Sequence, residues 1–191
     1  MNHFKLIYQD YRLLLQRRKK FDPRQIKDRI LARVYQRYPA FFRRWAKTAE
    51  IIEFSDIPWT PFDGEISYSR IALITTGGVH LSSQKPFNMK DPSGDPSFRE
   101  IPANALSANL CITHDYYDHS DADKDINIVF PIERIRLLKR FGEIGDINTR
   151  HFSFMGHITG PHIETLLRET APRVAGKLKE DGVNVALLTP A

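Results

Sequence analysis

The chain has 191 residues, 41% of them hydrophobic and 27% charged, with a net charge of +5 and one cysteine; that balance suits a globular domain with an extension and excludes a disordered or fibrous chain. No apolar run approaches the roughly 20 residues of a membrane-spanning helix, and Lys5, Asp10 and Arg12 interrupt any secretory signal, so a cytoplasmic protein is expected. The single thiol, Cys111 in the apolar run LCIT, can form neither an internal disulfide nor a thiolate zinc cage, and is predicted to be buried and inert.

Charge is unevenly spread. Residues 1–50 hold fourteen of the 28 Lys and Arg but four of the 23 Asp and Glu, which predicts a basic extension on a mildly acidic body. Phe4, Ile7, Tyr8, Tyr11 and Leu15 recur at helical spacing. Asp22 and Pro23 read as an N-cap and first helical position before the stripe Ile26, Ile30, Val34, and Pro39 precedes a third segment with Phe41, Phe42 and Trp45. The basic residues lie largely off these stripes, so solvated helix faces are expected rather than nucleic-acid binding. The division is a basic helical extension over 1–55 and an α/β domain over 56–191, entered by a linker with Pro58, Trp59, Pro61, Phe62 and Gly64.

RIALIT (70–75) reads as the first, buried strand, ending in Gly77 and Gly78. A polar loop from Ser82 to Ala103 carries Pro86, Pro92, Pro96 and Pro102; a loop so long without regular structure tends to be functional. Arg99 and Glu100 could pair across its opening. Leu110–Thr113 is a second predicted strand, Pro131–Phe141 a helix closed by Gly142, and His151–Met155 a third strand. Pro161–Asp181 has helical spacing, with Pro172 able to kink it and Gly182 to stop it. Val183–Leu188 follows as a strand, apolar on both faces and therefore predicted to be central and followed by a covering helix. That helix is missing before Ala191, so the domain is expected to be incomplete at its C-terminus. The fold class is α/β, a mostly parallel sheet flanked by helices with ligands at the strand ends, preceded by the basic extension.

Two groups of residues could carry chemistry. Gly77 and Gly78, in ITTGGVH with His80, could bring backbone N–H groups to a small carboxylate, or simply make a tight turn; the pattern is neither a dinucleotide fingerprint nor a P-loop. THDYYDHSDADKD gathers His114, Asp115, Asp118, His119, Asp121, Asp123 and Asp125 beyond the second strand. These side chains could move protons or hold a divalent metal, though no metal spacing is matched, or they could form Asx turns and caps. His151, His157 and His162 read as partly buried or capping residues.

The strings ALITTGGVHL, DPSGDPSFREIP, THDYYDHSDADKDINIVFP, GEIGDI, RHFSFMGHI and KLKEDGVNVALLTPA together resemble the selenoprotein B family of glycine, betaine, sarcosine and D-proline reductases, most nearly its shorter D-proline-reductase-like members. They cover most of residues 70–191. The resemblance implies a selenocysteine, or a cysteine in its place, shortly after the strand VNVALL. The catalytic residue is thus unknown in this chain and expected just past Ala191, where UGA read as termination would end the translation. It further implies reductive cleavage of a C–N bond in a small amino acid or amine, by a selenol or thiol that is reset by a thiol reductant. A partner subunit would supply a pyruvoyl group; no cofactor or metal is assigned to this chain. On this reading Gly77, Gly78 and His80 hold the substrate, with His114, Asp115, Asp118, His119, Asp121 and Asp123 as further candidates along the same cleft. A metal-dependent hydrolase using the His/Asp loop and a non-catalytic binding protein using the basic helices remain the alternatives.

Overall fold

The computed structural model describes residues 60–191 and, before them, Val34, Arg37, Tyr38, Ala40, Arg43 and Lys47. Val34, Arg37, Ala40 and Arg43 are helical; the rest of the expected basic extension, and the linker up to Trp59, lie outside the described residues. The chain divides into two compact units, Met1–Lys47 and Thr48–Ala191; the sheet belongs to the second.

Strand β1 (Arg70–Thr75) is the centre of the sheet, with Ala72, Leu73 and Thr75 fully buried. Being apolar on both faces, it accepts neighbours on both edges. On one edge lies β7 (Val185–Thr189), parallel and in register from Ile71↔Val185 to Thr75↔Thr189. On the other lie β5 (Asp146–Ile147) and β6 (Arg150–Ser153), also parallel. Strand β3 (Arg99–Pro102) closes that side antiparallel to β6. Val79–Leu81 (β2) and Leu110–Ile112 (β4) form a separate antiparallel ribbon.

The architecture is therefore α/β with a mixed sheet, in which the three pairings of β1 are parallel and that of β3 with β6 is antiparallel. Leu110–Thr113 does not join the main sheet, because Gly78, at φ +68°, turns the chain away from β1 and the Thr113 N–H then bonds the Gly78 carbonyl. The loop from Ser82 to Ala103 is not wholly irregular: its end forms β3, anchored by the fully buried Ile101. Arg99 and Glu100 do not pair with each other. Neighbours on a strand point to opposite faces, so Arg99 meets Asp95 at 3.7 Å while Glu100 meets Lys177 at 2.9 Å and Arg150 at 3.5 Å.

Strand β7 is another correction. It pairs only with β1, at an edge of the described sheet, and Leu187 and Leu188 are exposed. Two apolar faces made it read as central, but its second edge has no strand among the described residues. Cys111 is likewise exposed rather than buried, since β4 belongs to a two-stranded ribbon.

Between β5 and β6 the backbone steps away from β1. The Asn148 N–H still reaches the Ile71 carbonyl at 2.8 Å, but the Leu73 N–H bonds the Nδ1 of His151 at 3.0 Å. An imidazole thus replaces a ladder acceptor inside the sheet. His151 is fully buried, its ring edge against Phe130, and burial followed by the Arg136 charge draws its pKa from 6.5 to about 4. A neutral ring is what accepting the Leu73 N–H requires.

Helix α1 (Ile132–Arg140) buries Ile132 and Ile135, carries Lys139 and Arg140 in its last turn, and ends before Gly142 at φ +74°, as the sequence indicates. The expected helix 161–181 is interrupted: α2 (Pro161–Thr165) passes into a π-helical turn (Leu166–Thr170) and then α3 (Ala171–Glu180). Pro172 has no N–H to donate and crowds the preceding turn, which widens. Val174 of α3 packs with Phe152 and Phe154. Leu73, Ile101, Phe130, Ile132 and Ile135 belong to the larger core cluster.

Candidate functional site at the carboxyl ends of the parallel strands

The carboxyl ends of β1, β6 and β7 converge. Past β1, the Thr76 N–H bonds the Thr189 carbonyl at 3.2 Å, and the Thr76 Oγ1 accepts from the Ala191 N–H at 3.0 Å. Past β6, Gly156 fits where a side chain cannot: a Cβ there would lie 2.9 Å from the Ala191 oxygen, 3.2 Å from the Nε2 of His114 and 3.3 Å from the Thr76 carbonyl. His114 in turn packs on the glycine turn, where a Cβ at Gly78 would meet its Cβ at 3.1 Å and the Thr113 carbonyl at 2.5 Å. Gly78, His114, Gly156, Thr76 and Ala191 therefore ring one notch.

The two glycine N–H groups are already engaged. Gly77 donates to the Thr75 Oγ1 at 3.0 Å and Gly78 to the Phe154 carbonyl at 2.9 Å, so these glycines serve the turn and the close approach of His114 rather than an anion cradle. His80 is buried in the ribbon, its Nδ1 donating to the Leu81 carbonyl and its Nε2 accepting from the Thr113 hydroxyl, both at 2.8 Å. Both nitrogens are taken up in holding the ribbon.

The His/Asp loop divides by burial. His114 and Asp115 are buried, while Asp121 and Asp123 are exposed. Asp118 accepts the Ser120 N–H, Asp121 pairs with Lys124 at 2.7 Å, and Asp123 pairs with His119 at 2.8 Å. These are turn and surface contacts of the kind Asp makes in loops. Among the described residues no group of three or more His, Cys, Asp and Glu could hold a metal ion.

Two aromatic residues of this loop, not singled out in the sequence, shape the notch. Tyr117 donates from its hydroxyl to the Gly77 carbonyl at 3.1 Å, with its ring 4.7 Å from His114 and 5.6 Å from His119. Burial, then the Asp123 carboxylate, push its phenol well above the ordinary range. Tyr116 stacks on His157 at 3.7 Å, and His157 bonds the Pro92 carbonyl, tying the long loop to this region. His162 pairs with Asp91 at 3.0 Å. Burial, with the charges of His157 and His119, brings His114 from 6.5 down to about 4. At neutral pH it is an uncharged hydrogen-bonding group, not a resident proton carrier. Two open grooves, of about 380 and 540 Å³, lie along Cys111 and along Arg99; neither is lined by His114.

The glycine turn and the buried imidazole lie at the carboxyl ends of the parallel strands, where open α/β sheets in general carry their ligand sites. The chain belongs to the glycine/sarcosine/betaine reductase selenoprotein B family, whose model matches residues 39–191. It is 40% identical over 131 residues to the D-proline reductase subunit gamma of Acetoanaerobium sticklandii, covering 69% of this chain and 52% of that one. It is 27% identical over 146 residues to the sarcosine reductase complex component B subunit beta of Peptoclostridium acidaminophilum, covering 71% and 31%. To the glycine reductase complex component B subunit gamma of Carboxydothermus hydrogenoformans it is 24% identical over 139 residues, again covering 71% and 31%. The chain thus spans a third to a half of the length of these relatives, all of which are subunits of reductases. No solved structure matches it. No helix among the described residues is long and apolar enough to cross a membrane.

Proposed function

We propose that the chain is part of a cytoplasmic reductase subunit that reductively cleaves a C–N bond of a small amino acid or amine of the glycine, betaine, sarcosine or D-proline type, with the notch at the ends of β1, β6 and β7 as the reaction site. The observation that carries this reading is the meeting of Ala191, Gly156, His114 and the Thr76–Gly78 turn at those strand ends, together with membership of the reductase family. A selenol or thiol just past Ala191 would supply two electrons as the C–N bond breaks and carbon and nitrogen each gain a hydrogen, a dithiol oxidised to its disulfide would restore it, and a pyruvoyl group on a partner subunit would engage the substrate amine.

The chain's own residues position. The Ala191 N–H bonded to Thr76 fixes where β7 ends, and Tyr117 ties the glycine turn to the His114 ring. His114, uncharged, offers a hydrogen bond to the substrate without adding charge to the site. His119 pairs with Asp123 at 2.8 Å nearby, and Asp115 and Asp118 belong to the same loop. Gly77, Gly78 and His80 hold the turn and the ribbon rather than the substrate directly.

The test is dithiol-dependent reduction of D-proline, glycine, sarcosine and betaine by the chain extended through an in-frame selenocysteine or cysteine codon and combined with its partner subunit. Turnover of one of them, lost on replacing that residue by Ser, is expected. Absence of such a codon after Ala191 would remove the nucleophile on which the reading depends.

A further inference from the structure

The ribbon of β2 and β4 leaves one edge of β4 unpaired. In an antiparallel pair, residues that exchange hydrogen bonds alternate with residues whose N–H and C=O groups point away from the partner. The Thr113 N–H bonds the Gly78 carbonyl at 2.9 Å and the Ser82 N–H bonds the Asn109 carbonyl at 2.8 Å. With His80 opposite Cys111, these bonds set the alternation: residues 109, 111 and 113 turn to β2, while Leu110 and Ile112 turn to the outer edge. There the Leu110 N–H is taken by the Ser107 carbonyl. The Ile112 N–H and the carbonyls of Leu110 and Ile112 have no hydrogen-bond partner among the described residues.

This edge borders a groove of about 380 Å³, lined by Leu110, Cys111 and Ile112 of the strand and by residues 122–127 and Glu133 beside it. Asp123, Asp125 and Glu133 are carboxylates of that lining, and Lys124 is a cation. Counting also Asp121 and Arg134, which pair with Lys124 and Asp125, four acids stand against two bases.

We propose that the groove receives an extended segment of a partner protein, which adds as a further strand along β4 and carries Lys or Arg at alternate positions. The open backbone groups select the form of the occupant, because a donor and two acceptors spaced along a strand are matched by the backbone of another strand. A helix offers no such row, since its backbone groups are bonded internally. Three residues are too few to recruit a strand by backbone bonds alone, each of which displaces water for a small net gain. Charge supplies the rest: every second residue of a strand lies on one face, so cations at that spacing meet the acidic side together. A second copy of the chain fits less well, because its β4 would arrive with the same excess of carboxylates. His114 does not line this groove, and this surface is independent of the reductase reading.

The probe is an acetylated and amidated heptapeptide alternating Lys and Thr, titrated into the ¹⁵N-labelled 191-residue chain. Saturable shifts are expected at the amides of Ile112 and of residues 123–125, with a Kd of about 1 mM or tighter at low salt. Two control peptides are each expected to bind roughly tenfold more weakly or worse. One alternates Glu and Thr and reverses the charge; the other keeps the lysines but is methylated on every backbone nitrogen and has no donor for β4. No saturable shift with the Lys–Thr peptide, or equal binding of either control, would overturn the proposal. A dimer of the chain alone in sedimentation, dispersed by the peptide, would assign the edge to a second copy and overturn the basic partner.

Discussion

His114 and His151 have the same electrostatic history and opposite surroundings. Burial draws both from 6.5 to about 4, so both are neutral imidazoles at pH 7. In the sheet, His151 accepts one backbone N–H and fills the step between β5 and β6. At the strand ends, His114 faces two backbone N–H groups beside an exposed glycine. The first arrangement is a packing solution. In the first the opposite nitrogen, Nε2, is buried without a hydrogen-bond partner, whereas in the second both nitrogens face backbone N–H groups. Burial and a lowered pKa alone do not distinguish the two; what the opposite nitrogen faces does.

The largest effect expected from this comparison is on stability against pH. As pH falls through 6.5 the unfolded chain protonates these histidines, while the folded chain does not until about 4. Stability is therefore full above pH 6.5 and is lost between 6.5 and 4, by on the order of 3 kcal/mol per histidine at the lower end. Urea unfolding at pH 7 and pH 4.5 measures it, and His151→Gln should reduce the loss by about half. Next, His151→Ala leaves the Leu73 N–H unpaired in a cavity and should cost about 3 kcal/mol, whereas His114→Leu should cost less stability and more ligand binding. Gly78→Ala places a side chain at φ +68° with its Cβ 2.5 Å from a carbonyl oxygen and should cost about 2 kcal/mol, visible as earlier hydrogen exchange in the β2–β4 ribbon. Asp181→Ala removes the two-pronged contact with Arg150 and the bond from Asn148; a loss of about 1 kcal/mol is expected.

The two histidines also show how far the sequence could be read. The run RIALIT announced β1, and the pattern 132–140 with Gly142 announced α1, because both rest on local periodicity and capping. The density of His and Asp at 114–125 drew attention to the loop that carries His114. It could not tell buried His114 from exposed Asp121 and Asp123, since burial depends on where the chain turns at Gly78. Tyr117 and Gly156 carry no local pattern; their roles arise from contacts with residues about 40 positions away. The edge position of β7 was hidden for the same reason, as apolar faces report burial and not the presence of a neighbour. The His151 strut is invisible in any one-dimensional reading, because an imidazole stands in for a backbone carbonyl.

Turnover by the assembled reductase tests the central claim most directly. With the chain extended past Ala191 by the proposed selenocysteine or cysteine, dithiol-dependent amine reduction is predicted to fall at least a hundredfold in His114→Leu and to persist in Cys111→Ser. Activity that survives loss of His114 but disappears with Cys111 would place the chemistry at the ribbon and contradict the strand-end site.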